Sequence, residues 1–155
     1  MMHEYRASVT WKRGDAKFTD QRYSRAHSWN FDGGITVPAS SSPLSVKLPY
    51  SVAEAVDPEE ALVAAVASCH LLTFLYVAAK QGYVVDSYAD EAVGEMTKNE
   101  RGVPWISKIV LHPRIVYGGD KRPTPEQEAH LHHQAHEQCF IAQSVKTAVT
   151  VAGVA

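Results

Sequence analysis

Hydrophobic and polar residues alternate with a period of two near the start of the chain. Tyr5, Ala7, Val9 and Trp11 fall on one face of a strand predicted over residues 4–12. Residues 12–15, Lys-Arg-Gly-Asp, are typical of a turn, so we expect an antiparallel partner strand to follow.

The alternation resumes from Tyr23 and puts Tyr23, Arg25, His27 and Trp29 on one shared face. A second turn is indicated at residues 32–34, Asp-Gly-Gly. Residues 38–50 contain three prolines and a run of serines, and they predict an exposed loop.

A long apolar stretch, residues 57–82, has the length and the end signals of a helix. Asp57 can serve as the N-cap, Pro58 suits the first helical position, and the two glutamates that follow suit the positive end of the helix dipole. Gly82 is placed to end the helix. The stretch is apolar enough to raise the question of a membrane span, but Cys69 and His70 interrupt it, and we expect a buried central helix.

The remaining segments alternate between strand and helix signals. They predict a strand over 83–98, a turn at 99–102, a strand over 104–117, a loop over 118–123, a helix from Thr124-Pro125-Glu126 to Cys139, and a strand over 145–151. Strands, helix, strands, helix and strand in this order indicate an α+β domain, and we expect one domain over residues 1–155.

Composition narrows the functional classes. A formal net charge of -2 provides no basic field, so we expect no nucleic-acid partner. His3, Glu4, Arg6 and Lys12 interrupt any apolar run that would resemble a signal peptide, and we expect a cytoplasmic protein without a membrane partner.

The chain has two cysteines, Cys69 in the apolar helix and Cys139 at the end of the polar one. Two thiols in a chain that is not exported favour redox or metal chemistry over a structural disulfide. Each cysteine taken alone has a plainer interpretation, since a lone cysteine in a helix is usually a small core residue. A reactive Cys69 needs a cation from elsewhere in the fold, because it lies about three turns beyond the helix start, where the dipole no longer acts. Arg22, Arg25 and the neighbouring His70 are the candidates.

The segment DPEEALVAAVASC, residues 57–69, resembles the signature of the OsmC/Ohr family of thiol-dependent organic hydroperoxide peroxidases. In that family a Pro-Glu pair precedes the reactive cysteine by ten residues, as Glu59 precedes Cys69 here. A second cysteine follows some 65–70 residues later at the end of another helix, and Cys139 fits. The sequences around both cysteines, SCHLL and AHEQCFIAQSV, are similar to those of the OsmC-like branch of the family.

The resemblance implies an OsmC-like fold, with antiparallel sheets packed around the two helices in an intertwined homodimer. It also implies roles: Cys69 attacks the peroxide, Cys139 resolves the sulfenic acid as a disulfide, and Glu59 holds an arginine beside the thiolate. That arginine is Arg25 by its place among aromatic residues, with Arg22 left open. A dithiol reductant such as a lipoyl protein, no cofactor and no bound metal complete the implied picture.

Geometry supports the dimer expectation. Ten helical residues span about 15 Å, so Glu59 cannot reach Cys69 directly along one straight helix. Either a second subunit contributes to the site, or Glu59 acts through a long arginine.

Two residues depart from the family pattern: His70 follows the first cysteine and Phe140 follows the second. These departures could alter the pKa of the thiols or the choice of substrate.

A metal site is a rival interpretation, because His132, His136 and Cys139 share one helical face and His70 could join them. A third interpretation is a non-catalytic OsmC-like module that binds a small apolar ligand.

Overall fold

The computed structural model describes residues 2–155. Its elements in chain order are β1 (Ala7–Thr10), β2 (His27–Phe31), β3 (Thr36–Ala39), α1 (Pro58–Lys80), β4 (Val84–Asp90), β5 (Val93–Lys98), β6 (Pro104–Leu111), β7 (Pro113–Gly118), α2 (Pro125–Gln138), a 3-10 helix (Ala142–Ser144) and β8 (Ala148–Val151). The residues form two compact units, one up to Ala61 and one over Leu62–Ala155. The predicted α+β class is confirmed.

The first unit contains a three-stranded antiparallel sheet in the order β1-β2-β3. The partner strand expected after β1 is β2, and the turn at 32–34 connects β2 to β3. The last two residues of β3, Pro38 and Ala39, fall in the predicted loop, so that prediction was wrong for them. Pro38 is tolerated there because β3 is an edge strand, which needs hydrogen-bond donors on one side only.

The helix α1 begins and ends where its end signals predict. Asp57 Oδ1 accepts a hydrogen bond from the Glu60 amide at 2.8 Å, and Glu60 Oε1 accepts one from the Asp57 amide at 2.9 Å. These reciprocal bonds form a capping box. Gly82, at φ 80°, follows the last turn in the left-handed conformation that glycine adopts without a steric penalty.

In the second unit, the segments predicted as two long strands each break once and pair as a bent hairpin. β4 pairs with β7, and β5 pairs with β6, each antiparallel. At the bend, Asp90 Oδ1 accepts a hydrogen bond from the His112 amide at 2.7 Å, between β6 and β7. Each predicted strand therefore contributes to two sheets, as happens where strands turn a corner between sheets.

The final strand departs from the expectation of purely antiparallel sheets. β8 pairs with β6 in parallel, in a three-stranded sheet of order β5-β6-β8. A parallel partner requires a long crossover, and β7 and α2 supply it.

The second helix, α2, also begins with a capping box. Thr124 Oγ1 accepts from the Gln127 amide, while Gln127 Oε1 accepts from the Thr124 amide. The helix ends at Cys139, which adopts an extended conformation as the C-cap.

Two apolar clusters form the core of the second unit. One joins the later turns of α1 to α2 and contains Phe74, Val77, Ala78, Tyr83, Leu131 and Ala135; the other contains Val66, Ile109 and Leu111. In both clusters the helices contribute residues of one face.

The expectation of a buried central helix is correct for one face of α1 only. Its buried residues are Val66, His70, Phe74, Val77 and Ala78, which recur at helical spacing. On another face Leu72 is 63% exposed and Tyr76 is 56% exposed. By length and composition α1 could span a membrane, and 28% of its apolar window is buried within the protein.

Candidate active site

The two cysteines lie on different helices of the second unit, and the thiol of Cys69 is near enough to raise the pKa of Cys139. Cys69 lies mid-way along α1 and is half-buried, whereas Cys139 at the end of α2 is fully buried. Cys69 is therefore more accessible than the surrounding sequence predicts. Both thiols are reduced in this structure.

The Cys139 thiol is held in its protonated form. Burial, and then a side-chain hydrogen bond with Cys69, raise the pKa of Cys139 to about 11, and the negative charge of Cys69 acts in the same direction. All three effects favour the neutral thiol of Cys139 over its thiolate.

Backbone amides surround the Cys139 sulfur. The Ala142 N–H donates to Cys139 Sγ at 3.4 Å, and the amide of Ile141 also acts on it, both favouring the thiolate. These amides face the sulfur because the chain turns into the 3-10 helix, where Gln143 N–H donates to the Cys139 carbonyl at 3.1 Å. These donors lower the pKa of Cys139, but burial and the contact with Cys69 together outweigh them.

The first unit contains a cavity of about 450 Å³ that both Arg25 and Glu59 line. Much of its wall is aromatic. Trp11, Phe18 and Tyr23 contact one another, with ring centroids 4.7 Å apart for Phe18 and Tyr23 and 5.5 Å apart for Trp11 and Tyr23. A cavity of this size and lining suits a small, largely apolar molecule.

The Arg25 guanidinium is engaged by its own loop. It donates to the Gln21 carbonyl at 2.7 Å and to the Tyr23 carbonyl at 2.5 Å, and it lies 3.7 Å from the centroid of the Tyr23 ring. Arg22 is exposed and does not line the cavity. Of the two candidate arginines, Arg25 is the one that shares a cavity with Glu59.

Glu59 brings an unsatisfied oxygen to the same cavity. Its Oε2 is buried and has no hydrogen-bond partner within residues 2–155. In that part of the chain the ion pairs are Glu4–Arg6 and Glu91–Arg114, so Arg25 and Glu59 share the cavity without pairing. A buried carboxylate oxygen without a donor is costly and favours a cationic neighbour.

His27 lines the cavity in a defined tautomer. The Trp29 indole N–H donates to His27 Nε2 at 3.1 Å, so that nitrogen is an acceptor. His27 Nδ1 lies 2.7 Å from the Arg25 carbonyl and therefore carries the proton. Both ring nitrogens of His27 are therefore held by neighbouring groups.

The structure places the four residues predicted as catalytic in two pairs, one pair in each unit. Cys69 and Cys139 interact in the second unit, and Arg25 and Glu59 line one cavity in the first. Of the four residues predicted to share a strand face, Tyr23, Arg25 and His27 line the cavity and Trp29 does not, and the strand itself starts only at His27.

Two features of these sites were not predicted from the sequence. The aromatic contribution of Phe18 lies in a loop without periodicity, and the amides at Ile141 and Ala142 carry no side-chain signal.

Two buried histidines link the helices. His70 Nε2 and His132 Nδ1 lie 3.0 Å apart, and both side chains are almost fully buried. Burial, and then the charge of neighbouring histidines, lower the pKa of His70 and of His132 to about 4 each, so both are neutral at pH 7.

Residues 2–155 do not contain the ligand set that the metal interpretation requires. Within residues 2–155, no group of three or more His, Cys, Asp or Glu side chains is arranged to hold a metal ion. His132 faces His70 instead of joining His136 and Cys139 around a common point.

Comparisons with known proteins agree with this architecture. The sequence model of the family described as OsmC-like protein matches residues 51–152. No curated protein matches the chain. A solved structure of an OsmC-like protein of unknown function from Vibrio cholerae is 54% identical, covers 97% of this chain and 98% of its own, and superposes with a TM-score of 0.93.

More distant structures share the fold. An organic hydroperoxide resistance protein OsmC from Legionella pneumophila is 15% identical over 97% of this chain and 98% of its own, with a TM-score of 0.69. An organic hydroperoxide resistance protein from Elizabethkingia anophelis, with thiocyanate bound, is 16% identical over 97% and 96%, with a TM-score of 0.71. Because the family match covers well over half of the residues and a relative at 54% identity spans nearly all of them, the chain belongs to the OsmC-like family.

Proposed function

We propose that this protein is a thiol-based peroxidase that reduces organic hydroperoxides through Cys69 and Cys139. One observation carries the proposal: a half-buried thiol on α1 interacts with a fully buried thiol on α2 that keeps its proton. Family membership and the resemblance in fold to two organic hydroperoxide resistance proteins support a redox or stress role.

The chemistry takes two steps. The Cys69 thiolate attacks one oxygen of the O–O bond, which breaks to give a Cys69 sulfenic acid and an alkoxide that takes up a proton to leave as the alcohol. The Cys139 thiolate then attacks the Cys69 sulfur and expels hydroxide, which leaves as water after protonation. The product is a Cys69–Cys139 disulfide.

The environment of Cys139 would set the order in which the two steps occur. While Cys69 is a thiolate, its charge and its hydrogen bond keep Cys139 protonated and unreactive. Oxidation of Cys69 to the neutral sulfenic acid removes that charge. The amides at Ile141 and Ala142 remain, so Cys139 becomes easier to ionise at the moment when it is needed.

Arg25 and Glu59 would supply the charges that the thiols lack. A guanidinium stabilises a thiolate and the departing alkoxide. Glu59 Oε2, which has no donor within residues 2–155, would accept a hydrogen bond from that guanidinium. The aromatic wall beside them would receive the organic part of the substrate.

Turnover requires a reductant, and we propose a dithiol donor such as a lipoyl protein. Two exchange steps would convert the disulfide back to thiols and oxidise the donor to its own disulfide.

We further propose a cytoplasmic homodimer. Free thiols suit a reducing compartment, and α1 leaves apolar residues exposed that a second copy could cover.

Stopped-flow oxidation of the reduced protein tests the proposal. We expect an organic hydroperoxide to be consumed rapidly and hydrogen peroxide more slowly, because the aromatic cavity binds only the former. Cys69→Ser should abolish the fast phase, whereas Cys139→Ser should retain one turnover and accumulate sulfenic acid. Equal, slow consumption by Cys69→Ser and by the unmodified protein would contradict the proposal.

The aromatic cavity favours a second candidate, a module that binds small apolar molecules without chemistry. That candidate predicts saturable binding of an aromatic alcohol that is unaffected by Cys69→Ser, together with no fast peroxide consumption. The stopped-flow comparison therefore separates the two candidates.

A further inference from the structure

His70 and His132 form an in-plane hydrogen bond between the two helices. The nitrogens are 3.0 Å apart, the ring planes are inclined by only 11°, and the centroids are 5.3 Å apart. Face-to-face stacking would bring the centroids closer, whereas this separation fits two nearly coplanar rings joined edge to edge. The contact is therefore a directional N–H···N bond.

The tautomers follow from the surroundings. His70 Nδ1 is buried and has no partner within residues 2–155. A buried N–H without an acceptor is rarer in proteins than an acceptor without a donor. The proton of His70 is therefore on Nε2 and is donated to His132 Nδ1, and His132 carries its own proton on Nε2.

Stability alone does not account for this pair. The polar atoms of two imidazoles are buried for a single shared hydrogen bond, and His70 Nδ1 is left buried without a partner within residues 2–155. Apolar side chains of similar shape would avoid that desolvation and pack as well against the neighbouring Phe74, whose ring centroid lies 4.6 Å from that of His132. A buried polar contact of this kind contributes specificity to an interface that apolar packing leaves loosely defined.

The hydrogen bond between His70 and His132 lies near both thiols, where the position of α2 along α1 decides whether Cys139 can reach Cys69. His70 directly follows Cys69 on α1, and His132 lies two turns before Cys139 on the same face of α2. The helices also meet in an apolar cluster that includes Phe74, Val77 and Leu131, and at the exposed end of α1 the Gln81 side chain donates to Gln134 Oε1 at 2.6 Å. Apolar burial is non-directional and restrains sliding of one helix along the other only weakly.

We propose that His70 and His132 are positioning residues that hold α2 in the register at which Cys139 meets Cys69. Their bond raises the effective concentration of one thiol at the other, and so speeds disulfide closure. The inference deepens the proposed function, since it concerns the resolution step at the same two thiols.

The test measures disulfide formation at equilibrium, without peroxide. Reduced protein is incubated in glutathione buffers, where protein dithiol and glutathione disulfide exchange to give the protein disulfide and two molecules of reduced glutathione. Alkylation and mass spectrometry give the effective concentration of the thiol pair. Thermal unfolding of each reduced variant reports stability separately.

Three substitutions isolate the hydrogen bond. His132→Leu removes the acceptor and keeps an apolar side chain of similar size, while His132→Asn keeps a polar atom near the position of Nδ1. His133→Leu, at the exposed neighbouring position, is the matched control. We expect His132→Leu to lower the effective concentration about tenfold, His132→Asn to restore it to within about threefold, and the control to have no effect.

Several outcomes would overturn the proposal. An unchanged effective concentration in His132→Leu would do so, as would an equal loss in His132→Leu and His132→Asn, which would indicate packing alone. If His132→Leu does not fold, nitrogen-15 NMR of the unmodified protein decides, because the bond needs a single proton on the two facing nitrogens, His70 Nε2 and His132 Nδ1, and protons on both or on neither would exclude it. Failure of peroxide consumption with a normal glutathione result would contradict only the proposed function.

Discussion

At the scale of single residues, the pKa of the Cys139 thiol is set by burial, by the neighbouring Cys69 and by two backbone amides. Burial and the contact with Cys69 raise its pKa to about 11, while two backbone amides oppose the shift. Cys69→Ala removes the hydrogen bond and the charge but leaves the amides. We therefore expect Cys139 to ionise at a lower pH in that variant, as followed by the ultraviolet absorbance of the thiolate.

Ser68→Ala is the matched control, because it changes an exposed neighbour on the same helix. It should leave the titration of Cys139 where it is in the unmodified protein. Identical titration of Cys139 with and without Cys69 would show that the two thiols do not communicate, and would remove the basis for the order of the two steps.

The cavity arginine gives a second prediction at this scale. Arg25→Met keeps an apolar stem but removes the guanidinium, so it should lower kcat/KM for an organic hydroperoxide by about 100-fold, the usual loss for one oxyanion-stabilising group. Arg22→Met, on the exposed side of the same loop, should change kcat/KM by less than about threefold. The reverse ranking would identify Arg22 as the cation.

The sequence could name individual site residues but not their surroundings. The spacing of Glu59, Cys69 and Cys139 is visible in the chain, and the histidine face of α2 suggested that His70 could lie near it. That the two buried histidines bind each other, and that backbone amides face Cys139, depends on how α1 and α2 meet. No local pattern encodes that meeting.

At the scale of elements, α1 has two different apolar faces. One packs within the second unit, and the other exposes Leu72 and Tyr76. Exposed apolar residues at helical spacing are typical of a surface that a partner covers, and a second copy of the chain is the partner we propose. Leu72→Glu should therefore convert the dimer to a monomer in light scattering coupled to gel filtration.

Val103→Glu, at a half-exposed apolar position in the turn between β5 and β6, is the control and should leave the mass unchanged. A monomeric unmodified protein, or a dimer that tolerates Leu72→Glu, would contradict this assignment of the α1 face.

Element boundaries could be predicted where local chemistry sets them. Asp57 and Gly82 delimit α1 and Thr124 begins α2, because caps act within one turn of the helix end. The strands were harder. The β pattern runs without a break through Asp90 and His112, so it does not predict the corner where a long-range hydrogen bond redirects the chain. Pro38 indicated a loop where the chain forms the edge strand β3.

At the scale of the whole molecule, the histidine pair should make stability depend on pH. Burial lowers the pKa of both His70 and His132 from 6.5 to about 4. As pH falls from 6.5 towards 4, the unfolded chain therefore binds protons that the folded chain does not, and the free energy of unfolding decreases. From pH 7 to pH 5 the loss should be about 2 kcal/mol for each imidazole.

Denaturant unfolding at the two pH values measures this effect. The double variant His70→Leu/His132→Leu lacks both imidazoles and should lose correspondingly less stability on acidification, because its remaining titrating groups are those of the unmodified protein. Parallel losses in the two proteins would show that the pair does not titrate with lowered pKa values.

The central claim is that Cys69 and Cys139 act as an attacking and a resolving thiol, and peptide mass spectrometry tests it most directly. Fully reduced protein is treated with one equivalent of an organic hydroperoxide, quenched by alkylation and digested without reductant. We predict an intramolecular Cys69–Cys139 disulfide in most molecules. Two alkylated cysteines, or a Cys69 oxidised to sulfinic acid beside an alkylated Cys139, would contradict the account.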